Sequence, residues 1–201
     1  MSKLRLLSIK INELFSTDQD FHAEQQNDGR YLKKAGKIVA SRIEHMLDSG
    51  SSIAVYQRNI NDRVKWICYD FDIIKSQLET DNRFIADAEL KSAVAKFCAF
   101  LDKKEIKYLI EYSGNRGIHI WITFKNEITF KVSHEITTLI LEQAELNYNS
   151  DLIAIDLFPH SNKITNSVGS CVKLPLSKHK KSGIYSYFLE TYNDIKNINK
   201  Y

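Results

Sequence analysis

Ser113-Gly114-Asn115-Arg116-Gly117-Ile118-His119-Ile120-Trp121-Ile122-Thr123-Phe124 is a polar, glycine-bearing turn that runs directly into a period-two alternation. The alternation predicts a half-buried β-strand, with Ile118, Ile120 and Ile122 on one face and His119 on the other. The turn delivers a hydroxyl, a guanidinium and an imidazole with little bulk around them, a donor set suited to phosphate. Taken alone, His119 equally fits a structural histidine satisfied by a neighbour at the turn.

Working outward, Tyr108–Tyr112 reads as the strand paired with Gly117–Phe124 through this turn. Before it, Val64–Asp72 is a β-rich run, and Asp87–Lys103 places Leu90, Ala93, Val94, Phe97 and Leu101 at helical spacing. After it, Ser133–Leu146 repeats the helical spacing through Ile136, Leu139, Ile140 and Ala144, and Leu152–Leu157 is a short strand. The succession β-α-β-β-α-β predicts an α+β fold of split-βαβ type. In that arrangement two helices cover one face of a four-stranded antiparallel sheet and the other face stands open. Two further short strands, Ser170–Leu174 and Gly183–Leu189, flank a polar loop.

Upstream, Leu4, Leu7, Ile11 and Leu14 mark one helix. A polar, turn-rich stretch runs from Ser16 to Gly29, and Ile38, Arg42, Ile43, Met46 and Leu47 mark a second helix closed by Asp48-Ser49-Gly50. Ser51–Tyr56 reads as a strand. Two prolines and seven glycines leave few natural breaks, so the chain divides softly near residue 63, into a unit of residues 1–63 and a module of residues 64–201.

The 201 residues suffice for a sizeable core, and a net charge of +3 neither demands nor excludes a nucleic-acid partner. Cys68, Cys98 and Cys171 are isolated, odd in number and without a CxxC pair, which reads as reduced thiols and no zinc site. The N-terminal stretch has too many lysines and too short an apolar run for a signal peptide, and no later stretch reaches membrane-spanning length. The expectation is a cytoplasmic protein without a membrane partner.

Three acids share the parity of His119. In Tyr69-Asp70-Phe71-Asp72 both carboxylates leave one face of an extended strand, opposite Tyr69 and Phe71. In Ile153-Ala154-Ile155-Asp156-Leu157-Phe158, Asp156 alternates against Ile153, Ile155 and Leu157. Carboxylates crowded together repel unless a cation lies between them, so hard oxygen ligands here suit Mg²⁺ or Mn²⁺. A solvated strand end is the plainer reading of Asp70 and Asp72 alone. Convergence of Asp70, Asp72, Asp156 and His119 is what a two-metal phosphoryl-transfer site requires. Cys171-Val172-Lys173-Leu174-Pro175 then ends a strand before the basic run Lys178-His179-Lys180-Lys181. Lys173 and His179 can meet phosphates from the side opposite Arg116, although such a run by itself also fits a solvated loop.

In this order the motifs resemble the catalytic core of the archaeo-eukaryotic primase superfamily. The acidic pair matches Asp70 and Asp72, and the Ser-x-x-x-Gly-x-His motif matches Ser113, Gly117 and His119 with Arg116 between. The third acid matches Asp156, and the late Lys-Leu-Pro segment followed by a histidine matches Lys173-Leu174-Pro175 and His179. Within the superfamily the sequence is most similar to primase-polymerase domains of bacterial conflict and CRISPR-associated systems, on Gly50–Tyr56, on Glu111-Tyr112-Ser113-Gly114-Asn115-Arg116-Gly117 and on Phe158-Pro159.

The resemblance implies an N-terminal α/β unit packed on an RRM-like module, with the active site between them. It implies template-directed nucleotidyl transfer from nucleoside triphosphates to a 3′-hydroxyl on a single-stranded or primed DNA or RNA template. It also implies two Mg²⁺ or Mn²⁺ ions on the catalytic acids Asp70, Asp72 and Asp156, and a triphosphate held by Ser113, Arg116, His119, Lys173 and His179. The family's zinc module and helical accessory domain have no counterpart in these residues, so extension is expected rather than initiation. Two rivals use the same residues: a metal-dependent nuclease, and a non-catalytic RRM-like binder stacking bases on Trp66 and Trp121.

Overall fold

A computed structural model describes residues 1–146, 150–165 and 167–198. Over these residues it is a mixed α+β fold with two antiparallel sheets and four α-helices. Helix α1 (Lys3–Phe15) starts where the Ser2 hydroxyl accepts the Arg5 N–H at 3.1 Å, and α2 (Ala40–Ser49) stops at Gly50, whose φ of 66° lies in the left-handed region. The first sheet contains β1 (Phe21–Gln25), β2 (Tyr31–Ala35), β3 (Ile53–Tyr56) and β8 (Cys171–Lys173), in the order β2-β1-β3-β8. The second contains β4 (Arg63–Ile73), β5 (Leu109–Tyr112), β6 (Gly117–Thr129), β7 (Ile153–Phe158) and β9 (Tyr187–Leu189), in the order β7-β4-β6-β5-β9. Among the described residues no helix is long and apolar enough to cross a membrane.

Alternation along β4 and β6 divides their side chains between two cores. Ile67, Tyr69, Phe71 and Ile73 of β4, with Ile118, Ile120 and Ile122 of β6, pack against α3 (Arg83–Lys103) and α4 (Phe130–Gln143). Leu90, Val94, Phe97, Leu101 and Leu141 supply the helical side of this core. Trp66, Cys68 and Trp121 point the other way. There they meet Ile11 and Phe15 of α1, Ile43 and Met46 of α2, and Ile53, Val55, Val172 and Leu174 of the first sheet.

That second core corrects the expectation of an open sheet face. The N-terminal helices and the first sheet cover it, and both tryptophans are fully buried. A reading of the second sheet by itself cannot see the cover, because the covering residues come from both ends of the chain.

Two strands lie in stretches that read as polar. In β1 the buried polar residues are satisfied: His22 Nδ1 donates to the Gly36 carbonyl at 2.8 Å and its Nε2 accepts from Arg42 at 3.0 Å, while Gln25 accepts the Lys180 N–H at 2.9 Å. All five residues of β2 are exposed, so no apolar alternation marks it. In α1 the buried stripe runs through Ile11 and Phe15, whereas Leu7 and Leu14 stay exposed. β6 continues past Phe124 to Thr129, its pairing with β4 shifting in register opposite the stretch between Val64 and Trp66. The last two strands part company: β8 pairs with β3 in the first sheet, and β9 with β5 in the second. The first sheet is therefore built from both sides of residue 63.

Candidate active site

The second sheet aligns four ionisable side chains in one row. Asp70 of β4 stands opposite Asp156 of β7 on one side and His119 of β6 on the other, and His119 stands opposite Glu111 of β5. Residues directly opposite across antiparallel strands have neighbouring side chains on the same face. The row thus reads Asp156, Asp70, His119, Glu111, on the face that also carries Trp121.

Asp72, two residues along, has Gly117 opposite it. A Cβ at Gly117 would lie 2.1 Å from Asp72 Oδ1 and 2.7 Å from the Phe71 carbonyl oxygen, so the glycine is what leaves room for this carboxylate. The turn that precedes it is closed by Ser113, whose N–H donates to the Gly117 carbonyl at 3.0 Å and whose hydroxyl accepts the Gly117 N–H at 3.2 Å. Gly114 at its corner has φ 84°, a conformation open to glycine and strained for most other residues.

Asp70, Asp72, Ser113 and His119 line a cleft of about 650 Å³ between the two sheets, together with Tyr31, Lys173, His179 and Lys181. Lys173 arrives on β8 and is almost fully buried. Its ammonium donates to the Ser177 carbonyl at 3.3 Å and hydroxyl at 3.2 Å, and lies 4.0 Å from Glu111 Oε1. His179 sits in the basic loop, where its Nδ1 accepts the Ser182 N–H at 3.2 Å. That loop is anchored rather than loosely solvated, since Lys180 Nζ donates to the Gly50 carbonyl at 3.1 Å.

Arg116 is turned back on the acids. It pairs with Asp72 Oδ2 at 2.5 Å and also donates to the Ile73 carbonyl, so its guanidinium is engaged within the protein. Asp156 is exposed at the outer end of the row, near enough to influence Asp70 but not among the cleft-lining residues.

The electrostatics follow from burial and company. Burial, aided by the Asp156 charge, holds Asp70 above the usual carboxylate range against the opposing pull of His119 and Arg116. Burial and the neighbouring Asp70 push Asp72 to about 7. Burial disfavours a charged His119, but Asp70 and Glu111 outweigh it and raise the imidazole above its ordinary value. Burial likewise opposes a charged Glu111, yet His119 and Lys173 hold it below the usual carboxylate range. Burial lowers Lys173, and burial together with Lys173, Lys181 and Arg116 takes His179 down to about 4.

A divalent cation fits the acidic end of the row. Asp70 Oδ1 is buried without a hydrogen-bond partner, and the raised Asp70 and Asp72 are carboxylates that an added positive charge would relieve. Among the described residues no group of three or more His, Cys, Asp and Glu side chains is gathered as a ready-made metal cluster. Asp70 and Asp72 are the inner candidates, with Asp156 approaching from the rim.

The Asp72 shift gives a pH-dependent expectation. A folded-state value near 7, against 3.8 for an unperturbed carboxyl, means that the folded chain binds the proton more tightly. Its contribution to stability therefore falls as pH rises from about 4 to about 7. Urea midpoints in chelator should drop less between pH 5 and pH 7.5 for Asp72→Asn than for the unsubstituted protein. An equal drop in both would count against the shift. The opposing contribution of His179, which strengthens the fold as pH rises from about 4 to about 6.5, is common to both proteins and cancels in the comparison.

The structure thus brings Asp70, Asp72, Ser113, His119, Lys173 and His179 together around one cleft, sets Asp156 at its rim and ties Arg116 to Asp72. Glu111, to which the sequence motifs assign no role, joins them in the row. Its signal was available, as a lone carboxylate within the apolar strand Leu109-Ile110-Glu111-Tyr112.

Comparison with known proteins adds the following. A family model described as "TOTE conflict system, Archaeo-Eukaryotic Primase domain" matches residues 13–200. A search of curated protein sequences finds no match. Among solved structures, the chain is similar to the polymerase domain of ligase D from Mycobacterium tuberculosis in complex with DNA. The TM-score is 0.64 at 9% identity, over 96% of this chain and 80% of that one. It also matches the AEP domain of the primase-polymerase of cyanophage S-2L, with a TM-score of 0.48 at 8% identity, over 96% of this chain and 95% of that one. At such identity the first likeness is one of fold.

Proposed function

Because this chain belongs to the archaeo-eukaryotic primase domain family of TOTE conflict systems, we propose that it is a primase-polymerase, a template-directed nucleotidyltransferase that adds nucleoside triphosphates to a 3′-hydroxyl. The observation that carries the reading is the cross-strand row Asp156, Asp70, His119, of which Asp70 and His119 face a cleft whose other wall bears Lys173 and His179. Acids at one end and cations at the other match a nucleoside triphosphate whose α-phosphate would meet a primer hydroxyl at the acidic end while its outer phosphates meet the cations. We also read the second sheet with α3 and α4 as an RRM-like module within a catalytic unit that includes residues 1–63, on the strength of its β-α-β-β-α-β order.

Asp70, Asp72 and Asp156 would hold two Mg²⁺ or Mn²⁺ ions. Bound there, such ions would lower the pKa of a primer hydroxyl and offset charge gathering on the α-phosphate. The protein's own groups do the positioning. His119 and Lys173 present fixed donors to the phosphates, with no reorganisation at the moment of reaction. His179 is neutral at pH 7 and becomes easier to protonate as phosphate charge approaches. Ser113 shapes the turn that brings Arg116 to the cleft, and Arg116, now neutralising Asp72, is placed to transfer its guanidinium to a phosphate when Asp72 is otherwise engaged.

The cationic wall favours this reading over a nuclease, which has no third phosphate to hold. The complete burial of Trp66 and Trp121 removes the aromatics that a stacking RRM-like binder would display. The test is a primer–template assay with all eight nucleotides, with Mg²⁺ and with Mn²⁺. Incorporation of labelled nucleotide is expected; shortening of an end-labelled strand, or binding of nucleic acid without turnover, would overturn the proposal.

A further inference from the structure

Glu111 is the most deeply placed charge of the site, with no exposed surface at all. Burying a carboxylate is unfavourable by several kcal/mol unless its partners compensate, and an apolar residue of similar volume often serves stability as well or better. Its retention in an otherwise apolar strand therefore directs attention to what it touches.

Oε2 accepts the Trp121 indole N–H at 2.8 Å and meets His119 Nδ1 at 3.0 Å. Oε1 makes no hydrogen bond and lies 4.0 Å from the Lys173 ammonium. A carboxylate can only accept, so His119 Nδ1 carries the hydrogen and its Nε2 is the nitrogen left toward Asp70 and the cleft, 3.5 Å from Asp70 Oδ1. Trp121 fixes the carboxylate in turn, because its own ring is locked against Phe15 and Trp66 at centroid distances of 4.9 Å each. His119 belongs to the second sheet and Lys173 to the first. One buried anion thus stands behind two cationic donors contributed by different sheets.

From this geometry we infer that Glu111 is a positioning residue that holds His119 and Lys173 as a single preassembled clamp for the terminal phosphates of the nucleotide. The inference rests on the reading of those two side chains as triphosphate ligands. A clamp whose members are already aimed loses less freedom on binding than two independently moving side chains. Its contribution grows with the number of phosphates engaged, so it discriminates triphosphate from monophosphate.

Glu111→Gln keeps the shape and one acceptor but removes the charge. Losing a charge-assisted partner should weaken nucleoside triphosphate binding by roughly 10- to 100-fold, with monophosphate binding within about twofold. In primer extension, KM should rise in the same proportion while kcat changes by less than about threefold. Glu111→Asp, which retains the charge on a shorter stem, should restore most of the triphosphate preference and guards against a Gln variant that folds poorly. Wild-type triphosphate affinity in Glu111→Gln would overturn the inference. So would equal losses of triphosphate and monophosphate affinity in both variants, which mark a packing role. If the unsubstituted protein itself shows no triphosphate preference and no incorporation, the primase-polymerase reading falls instead, and that arm is measured separately.

Discussion

Asp70→Asn combined with Asp72→Asn should reduce nucleotide incorporation by at least about a thousandfold, since it removes the charges on which transition-state stabilisation is proposed to depend. The same protein should remain folded. In the absence of divalent ions it should be as stable as the parent or more so, because the two carboxylates are desolvated, Asp70 raises Asp72, and Asp70 Oδ1 is left without a partner. Amides of the same shape relieve that repulsion, and the side-chain amide oxygen introduced at position 72 can still accept from Arg116. Extension assays with Mg²⁺ and Mn²⁺, run beside urea denaturation in chelator, separate the two effects. A double variant that still polymerises would remove Asp70 and Asp72 from the mechanism. One that loses activity only because it unfolds would recast them as structural.

Trp121→Ala should destabilise the protein by about 4 kcal/mol, the range for truncating a fully buried aromatic. Trp121 touches Phe15 of the N-terminal helix and Trp66 of the neighbouring strand in edge-on contacts, so the cavity would open where the two halves of the molecule meet. The substitution also strips Glu111 of its indole donor, which adds the cost of a less satisfied buried carboxylate. For a protein of this length the loss corresponds to a fall of roughly 10 °C in Tm. Calorimetry or urea titration measures it directly. A loss below about 1.5 kcal/mol would show that the second core closes over the gap and that the joint is softer than its packing indicates.

The parts of this site that were legible in the sequence are those governed by strand parity. Asp70, Asp72, His119 and Asp156 each interrupt an apolar alternation, and a period of two leaves such a residue only one face to occupy. Register is a different matter. That Asp70 stands opposite both Asp156 and His119 is set by its pairing with β7 on one side and β6 on the other, which a single strand does not reveal. The role of Glu111 is hidden in the sequence for the same reason: its partners lie on other strands. Arg116 was expected to face phosphate, and its pairing with Asp72 follows from proximity across the Gly117 gap. The β1–β2 hairpin leaves no apolar pattern in the chain because two of its three buried members, His22 and Gln25, are polar residues satisfied by distant partners.

The pairing of β8 with β3 has a consequence for how the molecule comes into being. The strand bearing Lys173 closes a sheet whose other members lie before residue 57, so a nascent chain leaving the ribosome holds Ile53–Tyr56 as an unsatisfied edge until Cys171–Lys173 has emerged. Such edges invite pairing with the wrong strand, and contacts between distant segments form slowly. The acidic half of the cleft can take shape once β7 has emerged, but its cationic half must wait for the segment that seals β3. The two walls of the cleft thus belong to different moments of synthesis, and the wall bearing Lys173 forms only after the one bearing Asp70, with Asp156 at its rim.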